Sequence, residues 1–329
     1  MNLLSPLRSL ITYLLVKSKT TGENIIVGDG FLPKINSRIK SWIGQGNINI
    51  GNNVSIGYNS ELYVWNGDIS IGHNTSLNDN CKIYENVKIG SNCLFASSIF
   101  ISSGTHSIQL ADAMPIKSQD KLNPVDKGII IEDDCWLGFG VVIMPGIYIG
   151  KGAVIGANSV VTKNVFPYTI NAGVPARKIS KRLNFDETYS EIRSTEPSHW
   201  PFFYRGINYQ QFDQLNCLQN GLEVIAECSV FFLKKIDFRE IVITGICDNE
   251  CVFNILINGS FALEKTMKKG EFILNHQFGE TIAWTTQLGK GIPDDVSSIF
   301  NIITVSTKKD VSKSKRNESV WKVKSIKVS

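Results

Sequence analysis

Side chains able to do acid–base or metal chemistry are few in this chain, and they are scattered. Four histidines, His73, His106, His199 and His276, and seven cysteines occur in 329 residues. A zinc site draws three or four nitrogen or sulfur ligands together, usually from short paired spacings. Cys247 and Cys251 flank a short acidic turn with no histidine close in sequence, so no metal is expected. A single imidazole needs no such company. Titrating near neutrality, it can take a proton from a hydroxyl as a general base. Which histidine is placed to do so depends on the elements that carry them.

Those elements show a period of six. Ile50, Ile56 and Leu62 are followed by Ile71, Leu77, Ile83, Ile89, Phe95 and Ile101, and later by Ile131, Leu137, Ile143, Ile149, Ile155 and Val161. Seven of these anchors precede a glycine, at Gly51, Gly57, Gly72, Gly90, Gly138, Gly150 and Gly156. A helix cannot keep such residues on one face, because six positions rotate the chain well past one turn. Short strands can, since residues i−2 and i point to one side. The glycine and polar residues after each anchor are read as a tight corner. Three strands close one coil, so fifteen anchors make about five coils of a solenoid. Two interruptions break the phase. Nine residues separate Leu62 from Ile71, and thirty separate Ile101 from Ile131. Repeat proteins place insertions on one side, often the binding side. His106 lies near the start of the long one.

The run DDCWLGFGVVIMPGIYIGKGAVIGANSVVTKNVFPYTINAGVPARKI, Asp133 to Ile179, resembles the ending of hexapeptide-repeat acetyltransferases. ISSGTHSI, followed by a loop with Asn123-Pro124, is most similar to the branch that O-acetylates capsule and O-antigen polysaccharides. The resemblance covers about residues 45 to 182. It implies a left-handed parallel β-helix, a homotrimer, acetyl-CoA as co-substrate, a carbohydrate acceptor and active sites shared between subunits. Carried over by position, His106 matches the catalytic base, and Asn78 an asparagine at the acceptor site that can also donate to a developing oxyanion. Trp136 matches the tryptophan of the W-[IL]-G motif that borders the site. Gly138, Phe139, Gly156, Ala157, Thr162, Lys163 and Arg177 correspond to contacts of CoA, the two cations suiting its phosphates. Phe139 stands where relatives often carry a small or polar residue. Where that branch often has an acid two residues before the histidine, this chain has Gly104. Asp112, Asp120, Asp133 and Asp134 are the candidates to orient the imidazole in its place.

The remaining chain adds expectations of a coarser kind. A composition of 43% hydrophobic and 19% charged residues with a net charge of +4 suits a globular protein and gives no reason to expect nucleic acid. Lys308, Lys309, Lys313, Lys315 and Arg316 cluster near the C-terminus, as a solvated loop or a weak landing site for an acidic glycan or anionic membrane. Leu3, Leu4, Leu7, Leu10, Ile11, Leu14 and Leu15 predict a one-sided helix over residues 1–20 that packs on the protein or rests on a membrane surface. It is too short to span a bilayer. Scattered, odd-numbered cysteines point to free thiols and the cytoplasm. The β-helix is expected over residues 21–182 with its long loop at 102–130, a packed connector over 183–206, and a β-sandwich over 207–329. Asn258-Gly259 marks a tight hairpin there. That domain caps the solenoid, extends the trimer contact, or grips a glycan through Trp200, Tyr204 or Trp284. Three rival readings are weaker. A metal-dependent carbonic anhydrase needs more histidines than His73 and His106 in the solenoid. A non-catalytic trimeric scaffold leaves the matched residues unexplained. An acetyltransferase for a nucleotide sugar, antibiotic or serine is the third: no α/β sugar-nucleotide module of the kind some N-acetyltransferases carry is read at the N-terminus, and the added β-domain is odd for an antibiotic-modifying enzyme.

Overall fold

A computed structural model describes residues 20–21, 24–34, 37–41, 46–65, 67–106, 122–124, 128–183, 189–208, 221–225, 228–234, 236–282, 300–308 and 321–329. The helix expected over residues 1–20 lies outside them, apart from Thr20, which belongs to the strand Thr20–Thr21 instead. The chain divides into two compact units, Met1–Asn184 and Phe185–Ser329.

The first unit is a parallel β-helix with three faces. Face one stacks Thr20–Thr21, Arg38–Ser41, Glu61–Val64, Lys82–Tyr84, Phe100–Ser102, Val142–Ile143 and Val160–Val161. Face two stacks Ile25–Val27, Asn47–Ile50, Asp68–Ile71, Val87–Ile89, Ile129–Ile131 and Tyr148–Ile149. Face three stacks Leu32–Pro33, Ser55–Ile56, Ser76–Leu77, Leu94–Phe95, Trp136–Leu137, Val154–Ile155 and Thr169–Gly173, with Ala176–Lys181 folded back antiparallel on the last. Register places like on like: Ile56, Leu77, Phe95, Leu137 and Ile155 form one column, and the other faces carry equivalent columns. All fifteen anchors are buried, none more than 4% exposed. Such burial on the order of 2 kcal/mol per large aliphatic side chain is what closes the coil.

One coil precedes those the spacing revealed. Val27, Pro33 and Ile39 occupy its anchor positions, paired with Ile50, Ile56 and Leu62. The sequence pattern hides it because proline replaces the large aliphatic residue and eleven residues separate Ile39 from Ile50.

The corners also differ from expectation. The residue that turns the chain is not the glycine after the anchor. It lies three positions after the anchor, where Asn53, Asn59, Asn74, Asn80, Asn92, Asp134 and Asn158 hold positive φ between 54° and 61°, a conformation asparagine and aspartate tolerate better than most residues. The following glycine serves packing instead. A Cβ on Gly72 would sit 2.5 Å from the backbone nitrogen of Ser91 in the next coil. Corners between faces two and three are further stitched by side chains. Asn52 N–H donates to His73 Nδ1 at 2.8 Å, His73 N–H to Ser91 Oγ at 3.0 Å, and Ser91 N–H to Asp133 Oδ1 at 2.7 Å. His73 is therefore occupied in the coil itself.

The second unit is a β-sandwich. One sheet orders Glu191–Arg193, Trp321–Val328, Phe238–Cys247 and Gly270–Ile282, with Leu222–Val224 also on Trp321–Val328. The other orders Phe203–Arg205, Cys228–Lys234, Phe300–Lys308, Cys251–Ile257 and Ser260–Met267. Pairing is antiparallel throughout both. Aromatics from both fill the space between, with Trp321 centred 4.8 Å from Phe253 and 6.4 Å from Phe231. Asn258 and Gly259 turn the expected hairpin with φ of 49° and 83°. Residues 189–205, read as connector, supply two of the outer strands. Tyr204 is fully buried, stacked on Phe232 at 4.3 Å, so it cannot be a sugar platform. Trp200 donates its indole N–H to Ser194 O at 2.8 Å. Trp284 lies outside the described residues, as do Lys309, Lys313, Lys315 and Arg316. Among the described residues no helix is long and apolar enough to cross a membrane.

Candidate active site

Both interruptions leave the helix at the same corner, between faces one and two. The residues around Trp65 and Gly67 join Glu61–Val64 to Asp68–Ile71, and the long loop joins Phe100–Ser102 to Ile129–Ile131. The long loop departs as a two-stranded ribbon. Gly104–His106 pairs antiparallel with Leu122–Pro124, and His106 stands opposite Leu122. Asp112 and Asp120 lie outside the described residues. Asp133 and Asp134 do not share this corner: Asp133 accepts from Ser91 between faces two and three, and Asp134 is 2.9 Å from Arg182.

The other expected residues sort into two groups. Gly57, Asn78, Ala96, Gly138 and Gly156 form one column at the corner between faces three and one, each N–H donating to the next coil's strand, as Asn78 N to Phe95 O at 3.0 Å and Gly138 N to Ile155 O at 2.8 Å. Asn78 is exposed, and Phe139 and Ala157 stand beside the column, Phe139 being 53% exposed. Trp136, two residues before Gly138, is 51% exposed on face three in register with Leu94, so its indole lies outside the coil's core. Ala172 continues the column, and Arg177 pairs with it across the terminal hairpin. Arg177 is exposed and donates to its own neighbour, Ala176 O, at 2.9 Å.

The second group lies across face one. Thr162 and Lys163 follow Val160–Val161 and are exposed at the corner that His106's ribbon leaves, two coils further on. Face one separates the groups by roughly 15 Å of extended chain. One subunit thus carries two half-sets of residues on opposite edges of one face.

Packing alone accounts for two of the glycines. A Cβ on Gly138 would fall 2.6 Å from the backbone nitrogen of Ala157, and one on Gly156 would fall 2.9 Å from Ala172 Cβ. Sequence reasoning missed what lies between the half-sets. Phe100, Val142 and Val160 stand in register on the outside of face one, with Met144 beside them. The available signal was an apolar residue directly before an anchor, where the earlier strands of the same face have Arg38, Glu61 and Lys82.

The family model described as Bacterial transferase hexapeptide (six repeats) matches residues 128–163. A chloramphenicol acetyltransferase of Morganella morganii is 38% identical over 113 residues, 34% of this chain and 47% of that protein. The putative lipopolysaccharide biosynthesis O-acetyl transferase WbbJ of Escherichia coli strain K12 is 40% identical over 105 residues, 31% of this chain and 53% of that protein. A probable macrolide acetyltransferase of Lysinibacillus sphaericus is 33% identical over 167 residues, 43% of this chain and 89% of that protein. This chain belongs to the hexapeptide-repeat acetyltransferase family. It spans about half the length of the chloramphenicol and lipopolysaccharide relatives. Within the family's β-helix the matched segment is the fourth and fifth of the coils anchored from Ile50 to Val161, which carry Trp136, Gly138, Phe139, Gly156, Ala157 and Thr162–Lys163. Among the described residues no three His, Cys, Asp or Glu side chains are grouped to hold a metal.

Proposed function

We propose that this protein is an O-acetyltransferase that moves an acetyl group from acetyl-CoA to a sugar hydroxyl of a bacterial surface polysaccharide, as a homotrimer with His106 as general base. The observation that carries the reading is the division of the family's residues into half-sets on the two edges of face one. A second copy packed against that face would bring His106, Thr162 and Lys163 of one chain beside Asn78, Gly138 and Gly156 of the other. The outward Phe100 and Met144, 42% and 43% exposed, and the Val142 and Val160 beside them give such a contact apolar surface.

The residues suit the co-substrate. Gly138, Gly156 and Ala157 leave a corner without long side chains against which an extended pantetheine arm can run. Lys163 and Arg177 are exposed cations at the C-terminal end, suited to phosphate oxygens. When bound, acetyl-CoA supplies a thioester carbonyl as the electrophile. His106 accepts the proton of the acceptor hydroxyl, which makes that oxygen nucleophilic, and holds the proton for the departing sulfur. The Asn78 amide orients the acceptor or donates to negative charge on the carbonyl oxygen. Trp136 borders the space. Polysaccharide is favoured as acceptor by the lipopolysaccharide relative and by the ISSGTHSI segment with its Asn123-Pro124 loop; a cytoplasmic location follows from the thiols.

The test is thiol release from acetyl-CoA with a panel of surface polysaccharides, with chloramphenicol in the same panel, beside His106→Ala. Release that depends on one glycan and falls by about 10²–10⁴-fold in the variant supports the proposal. Release that survives the substitution removes His106 as the base, and release with chloramphenicol alone replaces the acceptor. Mixing Asn78→Ala with His106→Ala subunits tests the shared site, because some mixed interfaces then carry both intact residues. Unrecovered activity in verified mixed trimers refutes it.

A further inference from the structure

The function above leaves one pair of reactive groups in the sandwich unused. Cys247 ends the strand Phe238–Cys247 in one sheet, and Cys251 begins the strand Cys251–Ile257 in the other. Three residues, Asp248, Asn249 and Glu250, join them. Their sulfurs are 3.2 Å apart in a hydrogen bond, and both side chains are buried. A disulfide is about 2.05 Å long, so closure by roughly 1 Å would form one. Cys247 pairs in register with Trp321, and Cys251 with Met267. The pair is therefore a clasp at one end of the sandwich, where a chain crosses from sheet to sheet.

We propose that Cys247 and Cys251 are a reversible dithiol–disulfide couple, oxidised by hydroperoxides, that locks the two sheets of the C-terminal unit together at this crossing.

The two sulfurs are not equivalent. The hydrogen bond they share holds the Cys251 thiol below its ordinary pKa, while the same bond and burial push Cys247 up. Cys251 is thus the first nucleophile. Its thiolate attacks the terminal oxygen of the hydroperoxide, the O–O bond breaks, and the oxygen that departs takes up the thiol's proton. Cys251 is left as a sulfenic acid. The Cys247 sulfur then attacks Cys251, the S–S bond forms, and the sulfenic oxygen leaves as water with the Cys247 proton. With hydrogen peroxide the balance is two thiols and one peroxide to one disulfide and two waters. The exposed turn at Asn249 and Glu250 gives so small an oxidant its way in.

Cys93 and Cys135 are a useful contrast. They also neighbour one another, but inside the β-helix, where each donates to a backbone carbonyl, Glu132 O at 3.2 Å and Gly150 O at 3.3 Å. Burial pushes Cys135 well above its ordinary value. That pair should remain reduced.

The full chain is treated with hydrogen peroxide under native conditions, blocked with an alkylating agent and mapped by mass spectrometry. The expected result is a linkage between Cys247 and Cys251 within one chain, about 2 Da lighter than the dithiol, reversed by dithiothreitol. The oxidised protein should also show a higher midpoint for the second unit's thermal transition. Cys247→Ser should instead accumulate a sulfenic acid on Cys251 that dimedone traps, and Cys251→Ser should yield neither product. Three results overturn the proposal: no linkage when the exposed Cys228 is already oxidised, a Cys93–Cys135 bond that forms first, or a linkage only between chains. Wild-type protein suffices for all three, so misfolding of a serine variant does not decide the matter.

Discussion

Two glycines of the same column should respond in opposite ways to a neighbouring deletion. A Cβ on Gly156 meets one close atom, the methyl carbon of Ala172 at 2.9 Å, and its next neighbour is at 3.6 Å. A Cβ on Gly138 meets backbone instead, Ala157 N at 2.6 Å and Ala157 Cα at 2.9 Å. Overpacking of this kind costs about 1–3 kcal/mol. Against it stands about 0.4–1 kcal/mol gained because alanine restricts the unfolded chain. Gly156→Ala should therefore lose roughly 0.5–2 kcal/mol, about 1–8 °C in the β-helix transition for a unit of this size. Ala172→Gly removes the opposing methyl at a cost of about 1 kcal/mol. In the double variant the clash is gone, and the total should return to within about 0.5 kcal/mol of wild type. The coupling is then about 1–3 kcal/mol, inside the range contacting residues show. Gly138→Ala should not be rescued by Ala157→Gly, since the obstructing atoms are main chain. Thermal unfolding of the six variants beside wild type, with the two units' transitions resolved, reads all of this directly. Equal rescue in both pairs, or a silent Gly156→Ala, would refute the claim that coil packing rather than ligand contact selects these glycines.

Other outcomes follow from the same geometry. Leu137→Ala opens a cavity in a column sealed by Phe95 and Ile155 and should cost about 2–5 kcal/mol in urea unfolding. Trp136→Ala, one residue away but facing outward, should cost under about 0.5 kcal/mol while lowering thiol release if the indole borders the site. Breaking the Arg182–Asp134 pair, whose side chains are 40% and 43% exposed, with Arg182→Gln should change stability by no more than about 1 kcal/mol. Desolvation lowers the pKa of His199, whose Nδ1 accepts the Arg193 N–H at 3.0 Å. The unfolded chain then takes up a proton first. Stability of the second unit should be full above about pH 6.5 and fall below it, a slope that His199→Gln should flatten in unfolding midpoints measured between about pH 5 and 7.5.

The β-helix was legible because its periodicity is redundant. Fifteen anchors agree, so one error of phase would be outvoted. The coil of Val27, Pro33 and Ile39 was not legible, since three positions with a proline among them carry no such redundancy. In the sandwich the Asn258-Gly259 hairpin requires a strand on its far side, yet Ser260–Met267 shows little of one in its own residues. Its sequence SFALEKTM has a charged centre, and only Leu263 and Met267 are buried, as befits an outer strand that needs only one apolar face. For the site, motif resemblance named residues without placing them. That Thr162 and Lys163 share a corner with His106, while Asn78 and Gly138 do not, depends on how the coil winds.

The same logic explains why a repeat is a poor witness to its own chemistry. In a stacked coil every corner residue answers to the coils above and below it. Gly138 and Gly156 would be glycine or nearly so in a coil that bound nothing, because a Cβ at either position strikes the next coil. Asn53, Asn74 and Asn92 are asparagine because the backbone turns there. His73 is engaged as the acceptor of Asn52 N–H. The residues free to report on function are those the repeat does not need: an exposed asparagine at 78 where the same column holds Gly57 and Ala96, an indole at 136 where Ser55 and Ser76 suffice on the same face, and a histidine on a ribbon outside the coil altogether. Asn78 departs from its column without serving the turn, which falls to Asn80. The functional reading rests on these departures, and substituting Asn78 with the column's own alanine is the change that separates chemistry from architecture.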